Sequence, residues 1–325
     1  MLRVPRVLTV LVLIVIGVAP AAAAERYALI ITGAHGEPVY ADQYSQWRQA
    51  AVTALLEKLA FDQAKITTLF DGGDAAHEAT AANVRRVLGA LRSRVTSDDV
   101  LLVLLIGHGS FDGVEAKYNL VGPDLSSADW AALLKPIPGR IVIVDSTAAS
   151  FPFLEQLSGP RRIVVTATDS VAQRFDTIFP EYFIRALTDP SADIDKNGRV
   201  SVWEAFNAAS LGVRRYYTQR GQLATERSLL DDDGDGVGRE AGGEGKDGSA
   251  SSRLYFDPDV AGAAPTDEVL LGLLQKRAAL QLESDDLKQR RQLMTPDEYQ
   301  QEFEKLMLEL ARVSRDIRRR QQPGS

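Results

Sequence analysis

The chain of 325 residues carries 37 basic and 44 acidic side chains, a formal net charge of −7, and no cysteine. The lack of thiols excludes disulfides, thiolate metal centres and thiol nucleophiles. The acidic balance argues against a nucleic-acid partner, because phosphate binding needs a basic face.

The first residues, Met1-Leu2-Arg3-Val4-Pro5-Arg6, precede an apolar run from Val7 to Ala19 and then Pro20 and four alanines ending at Ala24. A basic head, a short apolar stretch and small residues are the pattern of a secretory signal peptide, with cleavage expected after Ala24. The apolar run is short for a bilayer span. Removing Arg3 and Arg6 leaves 35 basic against 44 acidic side chains, a net charge of −9. The expectation is a periplasmic or secreted protein with no membrane association once the signal is removed.

Residues 25–220 alternate apolar runs with amphipathic stretches. Tyr27 to Thr32, Lys65 to Phe70, Asp99 to Ile106, Arg140 to Val144 and Arg162 to Thr166 predict strands. Gln43 to Leu59, Ala81 to Val95, Phe179 to Leu187 and Ser201 to Tyr217 predict helices, and Phe111 to Leu120 predicts a hairpin. The DVLLVLLI run ending at Ile106 is continuously apolar, as expected of a central parallel strand covered on both faces. Alternation of this kind predicts an α/β fold with a mainly parallel sheet. Its site should lie beyond the carboxyl ends of the strands.

Asp193-Ile194-Asp195-Lys196-Asn197-Gly198-Arg199-Val200-Ser201-Val202-Trp203-Glu204 fits the twelve-residue EF-hand calcium loop. Oxygen-bearing side chains fall at positions 1, 3, 5 and 9, glycine at the sharp turn of position 6, and glutamate at position 12. A hard cation needs roughly six to eight oxygens at close range, and one short loop converges them only with this rhythm. The expected Ca2+ ligands are Asp193, Asp195, Asn197, the Arg199 carbonyl, Ser201 and Glu204. An unpaired loop of this kind is expected to bind in the weaker, extracellular range, roughly 10⁻⁵ to 10⁻³ M, as a structural clamp rather than a switch.

Residues 221–265 are rich in Gly, Asp and Ser and predict an acidic, mobile linker. Within it Asp231, Asp233, Asp235 and Gly236 echo positions 1, 3, 5 and 6 of the calcium loop, but position 12 is Gly242. A second, weaker Ca2+ site and a plain acidic linker both fit this run. Residues 266–321 predict a helical hairpin. Thr295-Pro296-Asp297-Glu298 is a capping box with proline at the first helical position. Phe303, Leu306, Leu310, Val313 and Ile317 form one stripe beyond it. The hairpin closes on itself or on the main domain, or serves as an arm for a partner or for self-association.

The strand ending at Ile106 runs into Gly107-His108-Gly109-Ser110, and the next into Asp145-Ser146-Thr147-Ala148-Ala149-Ser150. This order resembles the caspase-like peptidase fold, and more closely its legumain-type branch with exported bacterial relatives. There, an apolar strand precedes His-Gly, and the following strand precedes the nucleophile within D-x-C-x-S-G. The resemblance covers Tyr27 to Tyr217 and implies a three-layer caspase-like sandwich with peptide or protein as ligand. The calcium-loop run also looks like bacterial members that carry such an insertion. The nucleophile carries over to Thr147, and the serine-glycine that follows becomes Ala149-Ser150. A thiol ionises near neutral pH and attacks with little help, whereas a threonine hydroxyl needs an aligned general base. The expected protein is therefore a non-catalytic pseudopeptidase. The alternative is a hydrolase using Thr147, Ser146 or Ser150 with His108. A filled pocket, by Phe151 or Phe153, would weigh against the enzyme.

His35, after the first strand, either joins His108 in a pocket or sits in a polar loop. His77 is expected to be exposed. Nothing in the spacing brings His35 and His108 together with Asp112 or Asp145 as a zinc site. Asp145 either caps the next helix or touches substrate.

Overall fold

The computed structural model describes residues 24–173, 176–243, 245–258, 268–291 and 294–321. The expected signal peptide lies outside the described residues except for Ala24. Among the described residues no helix is long and apolar enough to cross a membrane.

The elements are β1 (Arg26–Thr32), α1 (Pro38–Thr53), β2 (Ile66–Phe70), α2 (Ala81–Arg94), β3 (Val100–Ile106), β4 (Gly109–Phe111), β5 (Ala116–Tyr118), β6 (Leu125–Ser126), α3 (Ser127–Leu134), β7 (Arg140–Asp145), α4 (Phe151–Leu157), β8 (Arg162–Thr166), α5 (Phe179–Ala186), α6 (Val202–Gln219), β9 (Leu229–Asp231), β10 (Arg239–Glu240), α7 (Glu268–Arg290) and α8 (Pro296–Gln321). Seven strands form one sheet in the order β10-β9-β8-β7-β3-β1-β2. β2, β1, β3, β7 and β8 are parallel, while β9 and β10 close one side antiparallel. β4, β5 and β6 make a small antiparallel sheet after the histidine, which is the expected hairpin with one more strand.

The central strand shows why the sheet is sandwiched. Leu102, Leu104 and Ile106 enter one core with α1, α5 and α6. Leu101, Val103 and Leu105 enter the other, with α2, α3 and α4. A period of two with both faces apolar leaves no face for water, so helices must cover both sides. α2 does so through Val84, Val87, Leu88 and Leu91, spaced along one helical stripe. Each such burial contributes about 1.5–3 kcal/mol. Thr80 starts α2 by accepting the Asn83 N–H at 3.2 Å. The result is a three-layer α/β sandwich.

The segment after Gly221 departs from the expected linker. Its described part supplies β9 and β10 to the main sheet, and Leu230, Leu254 and Phe256 are core residues. Glu226 lies in the same segment and accepts the N–H groups of Ile178 (3.0 and 2.9 Å) and Phe179 (3.0 Å) at the start of α5, as well as the Tyr217 hydroxyl at 2.7 Å. Composition alone pointed to solvated chain. The few apolar residues fall where the open edge of β8 needs covering, and pairing there outweighs the flexibility of the glycines.

Burial pushes the Glu226 carboxyl up to about 7, against those hydrogen bonds. Its folded value therefore exceeds the ordinary 4.5, and the folded state holds the proton more tightly. The stabilisation is fully present below that ordinary value and is lost as pH rises through about 7. We expect metal-free protein to lose stability from mildly acidic to mildly alkaline pH, by up to about 3 kcal/mol through this group. Melting curves across that range check it. Glu226→Gln should flatten the slope, and an undiminished slope in that variant would remove Glu226 as its cause.

The C-terminal helices form the expected hairpin. Leu270, Leu280 and Leu287 of α7 meet Leu306, Val313 and Ile317 of α8 in a core of their own. The Thr295 hydroxyl accepts the Glu298 N–H, and the Glu298 carboxylate accepts the Thr295 N–H.

Candidate functional site

His108 follows β3 between two glycines with different tasks. Gly107 sits at φ +143°, a conformation open mainly to glycine. A Cβ on Gly109 would stand 2.6 Å from Thr147 Oγ1 and 3.0 Å from the Ala149 methyl, so the β3 and β7 ends approach as closely as two chains can. His108 Nδ1 pairs with Asp176 at 2.9 Å. Its Nε2 lies 3.2 Å from the Tyr44 hydroxyl and 3.3 Å from the His35 carbonyl. The Tyr40 ring stands edge-on at 4.7 Å, and its hydroxyl donates to Asp176. Both imidazole nitrogens therefore have partners, on α1 and on the loop before α5.

The three candidate hydroxyls behave differently, and all belong to fully buried residues. Ser146 Oγ donates to the Leu105 carbonyl at 2.5 Å. Ser150 Oγ accepts the Ala167 and Thr168 N–H groups at 3.1 and 3.2 Å and shares a proton with Thr168 Oγ1 at 3.0 Å. Thr147 Oγ1 has no hydrogen bond of good geometry. None of the three is hydrogen-bonded to His108. Asp145 is not the cap of the next helix, whose N-cap position is Ser150. It accepts the Thr147 N–H at 2.9 Å, and burial raises its carboxyl to about 6. Phe153 is buried in the core beneath α4 and Phe151 packs against it.

His35 pairs with Asp71 at 3.3 Å, and its carbonyl rather than its ring faces His108. His77 is half-exposed and bound to Asp74 at 2.7 Å. Asp112 caps the turn at Val114 and Glu115. Among the described residues these histidines join no group able to hold a metal. Sequence reading missed Tyr40, Tyr44 and Asp176. The two tyrosines lie four residues apart on α1 and share a face, but nothing local points that face at His108.

The acidic loop between α5 and α6 gathers carboxylates that could hold a metal ion. One carboxylate oxygen from each of Asp193, Asp195 and Glu204 lies within 4.8 Å of the others. Asp193 accepts the Asn197 and Gly198 N–H groups at 3.1 and 3.0 Å, Asp195 accepts Asn197 N–H at 3.0 Å, and Asn197 Oδ1 accepts Arg199 N–H at 2.8 Å. Glu204 Oε1 accepts the Ile194 and Asp195 N–H groups at 2.8 and 3.3 Å. Its Oε2 accepts the Ser201 N–H and hydroxyl, both at 2.9 Å. The spacing from Ser201 to Glu204 thus serves twice, as the capping box of α6 and as the close of the loop. The Ser201 hydroxyl is spent on that cap. Arg199 turns its guanidinium away to Asp257, at 2.9 and 2.8 Å, which leaves its main chain in the loop. Burial, then the Glu204 charge, pushes the Asp195 carboxyl up to about 7. Carboxylates crowded out of water call for a cation, so the donor set fits a hard metal ion.

The run after β9 repeats this pattern. Gly236 N–H donates to Asp231 at 2.7 Å, Asp235 N–H to Asp233 at 3.1 Å, and Val237 N–H to Asp235 at 2.7 Å. Asp231, Asp233 and Asp235 form the second acidic group that could hold a metal ion. Gly242, at position 12, lies in a turn and offers no carboxylate. Asp247 takes over the hydrogen bonds that Glu204 makes in the first loop. Its Oδ1 accepts the N–H groups of Asp232 and Asp233, positions 2 and 3, at 2.8 and 3.3 Å. Burial raises its carboxyl to about 6, helped by Asp232 and Asp231. Asp247 was missed because it lies outside the twelve-residue window, beyond a Gly-rich excursion. A search for any acidic residue downstream of DxDxDG was the available signal.

No family model matches the sequence, and no curated protein matches it. Among solved structures the chain is similar to protein GSU0716 from Geobacter sulfurreducens, a structural-genomics crystal structure. The identity is 14%, the TM-score 0.43, and the match covers 72% of this chain and 99% of that one.

Proposed function

We propose that this chain is an exported, calcium-stabilised protein of caspase and legumain type whose cleft binds a peptide or protein segment without cleaving it. The observation that carries this reading is the wiring of His108. Its two nitrogens are engaged by Asp176 at one side and by Tyr44 and the His35 carbonyl at the other, while Ser146 and Ser150 hold structural hydrogen bonds. A general base must reach the proton it removes, and no candidate hydroxyl meets that condition.

Ca2+ is the cation proposed for both acidic loops. The donors are hard oxygens, and calcium outside the cytoplasm would keep even a weak loop occupied. In the first loop it would clamp α6 to the chain leaving α5. In the second it would hold the β9–β10 edge. A second reading, hydrolysis through Thr147, draws on one fact: its hydroxyl alone among the three makes no hydrogen bond of good geometry.

A screen of peptide substrates with mature protein, with and without calcium, separates the readings. We expect no turnover, and we expect peptide binding, followed by fluorescence anisotropy, to weaken in His108→Ala. Turnover abolished by His108→Ala or Thr147→Ala would establish the hydrolase instead.

A further inference from the structure

A cavity of about 820 Å³ lies between α5, α6, the Asp193 loop and the C-terminal hairpin. Its size suits a small molecule. His108, Tyr40, Tyr44 and Asp176 are not among its lining residues. Among the described residues Arg185, Lys196, Arg215 and Arg277 line it against two carboxylates, Asp189 and Asp193.

Asp189 feels the charge of Arg185, and Arg277 feels Asp195, Glu204 and Asp193, in each case without forming an ion pair. Asp189 accepts the Ser191 N–H at 2.8 Å, and Asp193 belongs to the acidic group of the loop. Among the described residues Arg185, Lys196 and Arg277 have no ion pair, and Arg185 stacks on Tyr182 at 5.2 Å. Arg277 reaches the cavity from α7, and its Nη2 is shut off from solvent with no acceptor among the described residues. A guanidinium nitrogen withdrawn from water without a partner is costly, and an anion relieves that cost. Tyr182 and Tyr216, edge-on at 6.5 Å, add an aromatic wall on which the rest of a ligand can lie.

We propose that this cavity binds a small ligand bearing a carboxylate or phosphate group, held by Arg185 of α5 and Arg277 of α7. The proposal stands apart from the metal reading of the loop, whose failure would leave the cations in place. Metal binding would offset the Asp195, Glu204 and Asp193 charges that now act on Arg277, so the calcium-loaded protein should bind the anion more tightly.

The test is calorimetric titration of mature, resin-stripped protein with succinate and, separately, with inorganic phosphate, at matched ionic strength and with chloride as control. Calcium-loaded protein is titrated in parallel. We expect millimolar or tighter binding of at least one anion, weakened roughly tenfold by Arg185→Gln and by Arg277→Gln. Arg185 lies in the main domain, so its variant stays informative even where Arg277→Gln unseats the hairpin. Succinate alone binding identifies a carboxylate ligand, and phosphate alone a phosphate ligand. Binding of neither anion in either metal state, or binding indifferent to both substitutions, overturns the proposal.

Discussion

Glu204→Gln is expected to erase the calcium-dependent rise in melting temperature that the Asp193–Glu204 loop contributes. Glutamine is tolerated at the third position of a capping box, but it offers one acceptor oxygen where Glu204 uses two, so the start of α6 should loosen without being lost. Glutamine also lacks the charge and the two equivalent oxygens that close a calcium shell. At a calcium concentration about 100-fold above Kd, a single site stabilises the fold by about 2.7 kcal/mol. For a chain of this size that is a rise of about 5 °C. The measurement is best made in an Asp247→Asn background, where the second loop is silenced. Without calcium the variant should melt below the parent, because the amide NH2 leaves the N–H of Ser201, or those of Ile194 and Asp195, without an acceptor, which outweighs the relief of one cause of the raised Asp195 carboxyl. A full calcium response in Glu204→Gln, or none in the parent at millimolar calcium, would end the EF-hand reading.

Asp247→Asn is expected to lower calcium stoichiometry from two ions to one. Asparagine keeps an oxygen for the Asp232 and Asp233 N–H groups, so the turn should survive while its buried negative charge is lost. Removing a closing carboxylate should cost at least about tenfold in affinity at that loop. Calorimetric titration with calcium reads both numbers. Combining Asp247→Asn with Glu204→Gln should leave no measurable uptake. Two ions still bound with parental affinity in Asp247→Asn would show that Asp247 does not close the second loop.

The two loops also show how far a sequence window reaches. In the first, the three carboxylates lie within twelve positions and bond main chain two to ten residues away, while Asn197 and Arg199 also reach Tyr255 and Asp257. In the second, the Asp-x-Asp-x-Asp-Gly half is equally local, but the carboxylate that accepts the Asp232 and Asp233 N–H groups is Asp247, beyond a glycine-rich stretch. The His108 cleft is the extreme case. Tyr44 and Asp176 lie 64 and 68 positions from the histidine, the second figure being 176 minus 108. Their approach depends on α1 and the loop before α5 meeting above the end of β3.

The sequence alone therefore determined the alternation of strands and helices, the parallel sheet, the capping of α8 and the first acidic loop. These follow from hydrophobic period and from hydrogen bonds between near neighbours, which a linear pattern carries. Only the tertiary structure decided that the glycine-rich segment completes the sheet edge, that Asp247 joins the second loop and that His108 is wired to Asp176 and Tyr44 rather than to a hydroxyl. Those outcomes depend on which distant groups are brought together when both faces of the sheet are covered, and local propensity holds no record of that.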